Sequence, residues 1–167
     1  LSFSRNHEAD ARLVERFEGR QGEYFAPKNA IEEEHIRKGL GNPALIEKIR
    51  QDVVRTAIQG LCTYLGTTRD TRKEVLIVSD WVPGGRSGFA FDDFQQIQRA
   101  ATRGNTALYP WDPRGILVLP LDSMRSHEWF RVLADQTGGR AIVNMNDGLP
   151  GMRSMLSDSS AYYVIGY

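Results

Sequence analysis

This sequence is short of most features that would assign it a chemistry. Its 167 residues include one cysteine, Cys62, so no internal disulfide can form. Lying between Leu61 and Leu65 in a helical pattern, Cys62 is expected to be a buried structural thiol. Net charge is missing too: 21 lysines and arginines balance 21 aspartates and glutamates, leaving no positive field to draw in a phosphate backbone by counterion release. Nucleic acid is therefore not an expected partner. No apolar run nears the ~20 residues that cross a bilayer, and no basic stretch followed by an apolar core opens the chain. Neither a membrane span nor a signal peptide is expected within it.

Common catalytic motifs are absent as well. Gly84-Gly85 and Gly138-Gly139 belong to neither GxGxxG nor a P-loop ending in Lys-Ser/Thr, and glycine pairs after a helix are normally C-caps. His7, His35 and His127 stand singly in polar surroundings without HExxH or triad context, and all three are expected at the surface. No serine occupies a GxSxG elbow, which leaves covalent hydrolase chemistry without support.

What is present is alternation. The segment HEADARLVERF holds a short helix, and residues 17–41, with scattered glycines and the acidic run Glu32 to Glu34, form a surface excursion whose charges are solvated. Asn42 is a good N-cap and Pro43 a good first helical residue. Ile46, Ile49, Val53, Ala57 and Leu61 then recur at helical steps until Gly66. Val75 to Ser79 is a buried strand. Asp92 and Asp93 cap a helix carrying Phe94, Ile97 and Ala101, and Asn105 to Tyr109 is a second strand broken by PWDPRG. Ser126 caps a helix through Trp129, Phe130 and Leu133. Arg140 to Asn144 is a third strand, Gly151 to Asp158 a short helix, and Ala161 to Ile165 a last strand whose two faces both pack.

Strand, helix, strand, helix predicts right-handed crossovers and an open, mostly parallel α/β sheet with helices on both faces, in one domain spanning residues 1–167. In such sheets ligands collect at the carboxyl ends of the strands. Asp80, Asp112 and the Asn144-Asn146-Asp147 group each follow a strand and are expected on that one rim. Asp80 admits two readings, a ligand for a hard cation such as Mg²⁺ or a cap for the turn that follows. Asp112 to Gly115 forms a tight turn in which Asp112 bonds its own backbone and Arg114 pairs with it. Trp81 either covers the end of the core or stands exposed beside the rim, where an aromatic suits partner contact.

Four phrases, RKEVLIVSD (72–80), NTALYPWDPRGI (105–116), LADQTGGRAIVNMND (133–147) and SSAYYVIGY (159–167), carry a resemblance. In order and spacing, and with FEGRQGEYFAPKN and LCTYLG in the first half, the chain resembles the von Willebrand factor A-related domains found in many copies in acidobacteria and similar bacteria. The resemblance implies a three-layer, Rossmann-like sheet and, in the wider superfamily, a metal-ion-dependent adhesion site on the carboxyl rim. That site joins a DxSxS sequence after the first strand, a threonine in a later loop and an aspartate after the fourth strand. Asp80 matches the last of these. DxSxS does not occur, and Leu1 to Ser4 resembles the strand that follows it; Asp52 stands about where the threonine would fall, with Thr56 one turn further on.

Starting at Leu1 without a methionine, the chain reads as a fragment lacking the first central strand. Its neighbours would then form an aggregation-prone edge and Mg²⁺ would bind weakly or not at all, although a full-length parent could bind it. The expected function is a non-catalytic, protein-binding module of an exported or cell-envelope parent, with binding residues Trp81, Asp112, Arg114, Asn144, Asn146 and Asp147 beside the metal ligand Asp80. One alternative is a structural spacer in a cell-envelope protein. Another is an enzyme that binds a nucleotide or phosphorylated substrate at the rim, with Asp80 or Asp112 as base.

Overall fold

The computed structural model describes residues 4–16, 30–39, 43–68, 71–79, 91–116 and 121–160. Asp80, Trp81, Gly84-Gly85, the Asn42 cap, most of the 17–41 excursion and the expected strands at 1–4 and 161–165, Ser4 excepted, lie outside these residues. The chain divides into two compact units, Leu1–Ile46 and Glu47–Tyr167.

The first unit carries α1 (His7–Glu15) and α2 (Ala30–Arg37). Asn6 starts α1 by accepting the Ala9 N–H at 3.1 Å, and Glu8 and Asp10 favour the positive end of the helix dipole. α2 stops at Gly39, whose φ of +72° is cheap only for glycine. The expectation of a wholly solvated acidic run needs correcting at Glu32. That side chain is fully buried, while Glu33 and Glu34 are exposed.

The long helix α3 (Pro43–Gly66) begins before the unit boundary and continues into the second unit, where it leads into β1 (Lys73–Val78), followed by α4 (Phe91–Arg103), β2 (Thr106–Trp111), α5 (Leu121–Thr137) and α6 (Leu149–Ser160). β1 and β2 pair in parallel with Val75 opposite Leu108 and Leu76 opposite Tyr109. Alternation therefore sends Val75, Ile77 and Leu108 to one face and Leu76, Tyr109 and Trp111 to the other. On the first face Leu108 packs with Cys62 of α3, Phe94, Ile97 and Ala101 of α4, and Leu133 of α5. Trp129 of α5 lies against Phe94 with ring centroids 5.2 Å apart. α6 meets the opposite face, where the Tyr109 hydroxyl donates to Asp158 Oδ2 at 3.4 Å. The fold is thus a mixed α/β arrangement around a small parallel sheet.

Several boundaries differ from expectation for identifiable reasons. The third strand shrinks to a single bridge, Ile142 beside Trp111. Upstream, the Thr137 hydroxyl already accepts the Leu108 N–H at 3.1 Å, and downstream Asn144 turns to φ +60°. β2 also runs through Pro110 rather than breaking there. Ser79 N–H donates to Trp111 O at 3.0 Å and Ile142 N–H to Pro110 O at 2.7 Å, so Pro110 turns its carbonyl, and the side lacking an N–H, away from β1. Asp92 and Asp93 fall inside the first turn of α4, and Ser126 lies within α5, which starts at Leu121. On α3 the core-facing stripe is Ile58, Cys62 and Leu65, whereas Val53 and Ala57 are exposed.

Candidate functional site

β2 ends in the carboxyl rim. Asp112 N–H donates to Ile142 O at 2.9 Å, which ties the loop after β2 to the chain entering the Asn144 loop. A second tie lies further out, where Ile116 N–H donates to Asn146 Oδ1 at 2.9 Å. Between them Gly115 sits at φ +78°, and a Cβ there would stand 2.6 Å from Asn146 Oδ1. Only glycine closes the Asp-Pro-Arg-Gly turn against the neighbouring loop. Asp147 Oδ1 accepts the Leu149 N–H at 2.9 Å and so caps α6. Gly148 packs on the Trp111 ring, whose Nε1 is buried without a hydrogen-bond partner.

At the centre of the rim is Asp112, fully buried. Its Oδ1 accepts the Arg114 N–H at 3.0 Å and Nε–H at 2.9 Å, and its Oδ2 accepts Arg114 Nη2–H at 2.6 Å. His127 Nε2 lies 3.0 Å from the same Oδ2, and a carboxylate only accepts, so the proton belongs on Nε2. Burial works to raise the Asp112 pKa, but the hydrogen bonds from Arg114 and His127 and the Arg114 charge outweigh it and hold the carboxyl below its ordinary value. With its acceptor sites engaged, Asp112 is poorly placed to ligate a cation or act as a base. It serves instead to orient the Arg114 guanidinium, which stays one-third exposed.

Five expected rim residues are thus located. Asp112, Arg114, Asn146 and Asp147 make the bonds above, and Asn144 is exposed at the turn. Asp80 and Trp81 lie outside the described residues. The expectation that His127 is a surface residue is overturned: it is 5% exposed and joined to Asp112. His7 is exposed and His35 is partly covered, bonded to Ile31 O at 2.9 Å. The helical spacing of His127, Phe130 and Ala134 on the buried face of α5 was the available signal for His127.

The amino end of the sheet holds a second polar group that the sequence did not single out. There Glu74 of β1 and Tyr109 of β2 stand near Arg72 and Asp158. Glu74 Oε1 and Arg72 Nε are buried with no hydrogen-bond partner, while an Arg72 Nη2–H donates to Gly138 O. Burial pushes the Glu74 carboxyl up; Arg72 opposes this and the charge of Asp158 adds to it. The Tyr109 phenol is raised chiefly by burial as well. Among the described residues no three His, Cys, Asp or Glu side chains converge as a metal-binding group. No described helix is long and apolar enough to cross a membrane.

Compared with models of protein families, with curated proteins and with solved structures, the chain matches none.

Proposed function

We propose that the chain is a non-catalytic, protein-binding module of the von Willebrand factor A type, with an open Rossmann-like sheet and a recognition surface on its carboxyl rim. The observation that carries this reading is the pair of ties, Asp112 to Ile142 and Asn146 to Ile116, that fix two strand-end loops on one edge. Rigid loops on a sheet edge are a usual place for partner contact. Exposed Asn144 and Asp147 and the oriented guanidinium of Arg114 supply polar groups of both signs there. A Mg²⁺ ion completed by a partner's carboxylate would rest on Asp80 and on ligands other than Asp112, because the latter is already saturated. The same saturation supports the non-catalytic reading in so far as it removes Asp112 as a base. An exported or cell-envelope setting belongs to the family resemblance.

A second reading, a structural spacer, is favoured by one specific observation. Asp112, Asn146 and Asp147 each have a side-chain oxygen that bonds within the chain. A photo-cross-linking residue in place of Asn144, compared with one in place of exposed Arg131 on α5, separates the two in the native host. The binding module predicts a discrete protein adduct from position 144 and none from 131, and the spacer predicts neither. Thermal shift with ATP or GTP and Mg²⁺ tests the enzyme class. No shift is expected, and a nucleotide-dependent rise in melting temperature would overturn the non-catalytic reading.

A further inference from the structure

A second surface, away from the rim, opens between α3 and α4. The ends of these helices meet at glycines: a Cβ on Gly66 would stand 3.0 Å from Gly104 Cα. Beside this contact lies a groove of about 470 Å³ lined by Gln59 and Thr63 of α3 and by Gln96, Arg99 and Arg103 of α4. Its polar floor is bonded together. Gln59 Nε2–H donates to Gln96 Oε1 at 3.1 Å, and Arg55 Nη1–H donates to the same oxygen at 3.2 Å.

The walls are cationic, and among the described residues no acidic side chain lines the groove. Arg99 donates only to the neutral Gln95 Oε1, at 3.2 Å, and Arg103 makes no hydrogen bond or ion pair among the described residues. Both therefore keep charge available in a protein whose net charge is zero. They stand four residues apart on one helix face, about one turn, a spacing that lets each guanidinium take a separate carboxylate in forked geometry. The Gln96 amide N–H groups, which no described residue accepts, can reach peptide carbonyls between them. Among the described residues no aromatic side chain lines the groove to stack on a nucleobase.

We propose that the α3–α4 groove is a docking surface for an acidic peptide segment of a partner protein, read by Arg99, Arg103 and Gln96. The competing account is that the two arginines only offset the negative end of the α4 dipole. Under that account they would affect melting but not binding.

The test is fluorescence anisotropy with a fluorescein-labelled oligoglutamate peptide and, separately, labelled oligothymidine, at low and at moderate salt. The proposal predicts saturable oligoglutamate binding that weakens as salt rises. It also predicts a loss of about five- to tenfold in the Arg99→Gln/Arg103→Gln variant, recovery in Arg99→Lys/Arg103→Lys, and no loss in Arg131→Gln/Arg153→Gln. Melting curves of each variant separate lost binding from lost folding, and the lysine variant keeps the charge if the glutamines lower stability. Absence of saturable oligoglutamate binding, equal losses in the two glutamine variants, or tighter oligothymidine binding would each overturn it.

Discussion

The two ends of the parallel sheet each hold a carboxylate that the fold takes wholly or partly out of water, and they treat it in opposite ways. At the carboxyl end Asp112 is fully buried and accepts donors from Arg114 and His127, so its charged form is favoured. At the amino end Glu74 keeps one buried oxygen without a donor, and its charged form is disfavoured. Depth of burial alone would predict the reverse order. What decides the outcome is the number of hydrogen bonds made to the charged form. The carboxyl end is the better frame for presenting loops in fixed positions, while the amino end stores a polar group at some cost.

The comparison breaks most visibly on substitution of Asp112. Asp112→Ala removes the acceptor of the loop turn and leaves the His127 N–H buried without a partner. A loss of about 3 kcal/mol in urea or thermal unfolding is expected. A loss under about 0.5 kcal/mol would show that the cluster is not coupled to folding. Next in size is Gly148→Ala, whose methyl group would overlap the Trp111 ring, with an expected cost of about 1–3 kcal/mol. His127→Phe should cost about 1–2 kcal/mol, because Arg114 still satisfies Asp112. Smallest is Glu74→Gln, which removes a disfavoured charge and should leave stability at neutral pH unchanged or raise it by about 0.5 kcal/mol. A clear loss there would mean that Glu74 has a partner of its own.

Acid titration separates the two ends by sign. For Asp112 the folded value lies below the unfolded one, so its stabilisation is complete above the ordinary aspartate range and is lost as pH falls through the folded value. Glu74 behaves inversely: the folded state takes up the proton first, so stability rises as pH falls from the raised folded value toward the ordinary 4.5. Melting temperature against pH in the parent and in Glu74→Gln should differ by the loss of that rise. Cys62 offers a control for global opening. It is buried and its thiol is pushed up to about 11, so Ellman's reagent should label it only as fast as the core opens.

Much of the architecture was legible where local pattern and tertiary packing agree. The apolar run at Val75 and Ile77 gave β1, and the spacing of Phe94, Ile97 and Ala101 gave the buried face of α4. The Gly66 stop and the buried thiol at Cys62 were legible in the same way. Legibility failed where a partner far along the chain decides. RAIVN has strand composition, yet Thr137 and Asn144 leave room for one bridge at Ile142. Pro110 looked like a breaker because sequence does not reveal which side of a strand needs its N–H. In the rim, Asp112 and Arg114 are legible as a local turn, whereas His127 enters from α5, fifteen residues on, where polar neighbours in sequence suggest the surface. Glu74 was not legible, because a lone acid at a strand start resembles a solvated one until the fold brings Tyr109 and Asp158 near it.

The most direct measurement is a carboxyl ¹³C NMR titration that follows Asp112 and Glu74 in the same sample. A midpoint for Asp112 below the ordinary aspartate value together with one for Glu74 above the ordinary glutamate value is the predicted result. Two unshifted midpoints, or shifts in the opposite senses, would contradict the account of a saturated rim and an unsatisfied amino end.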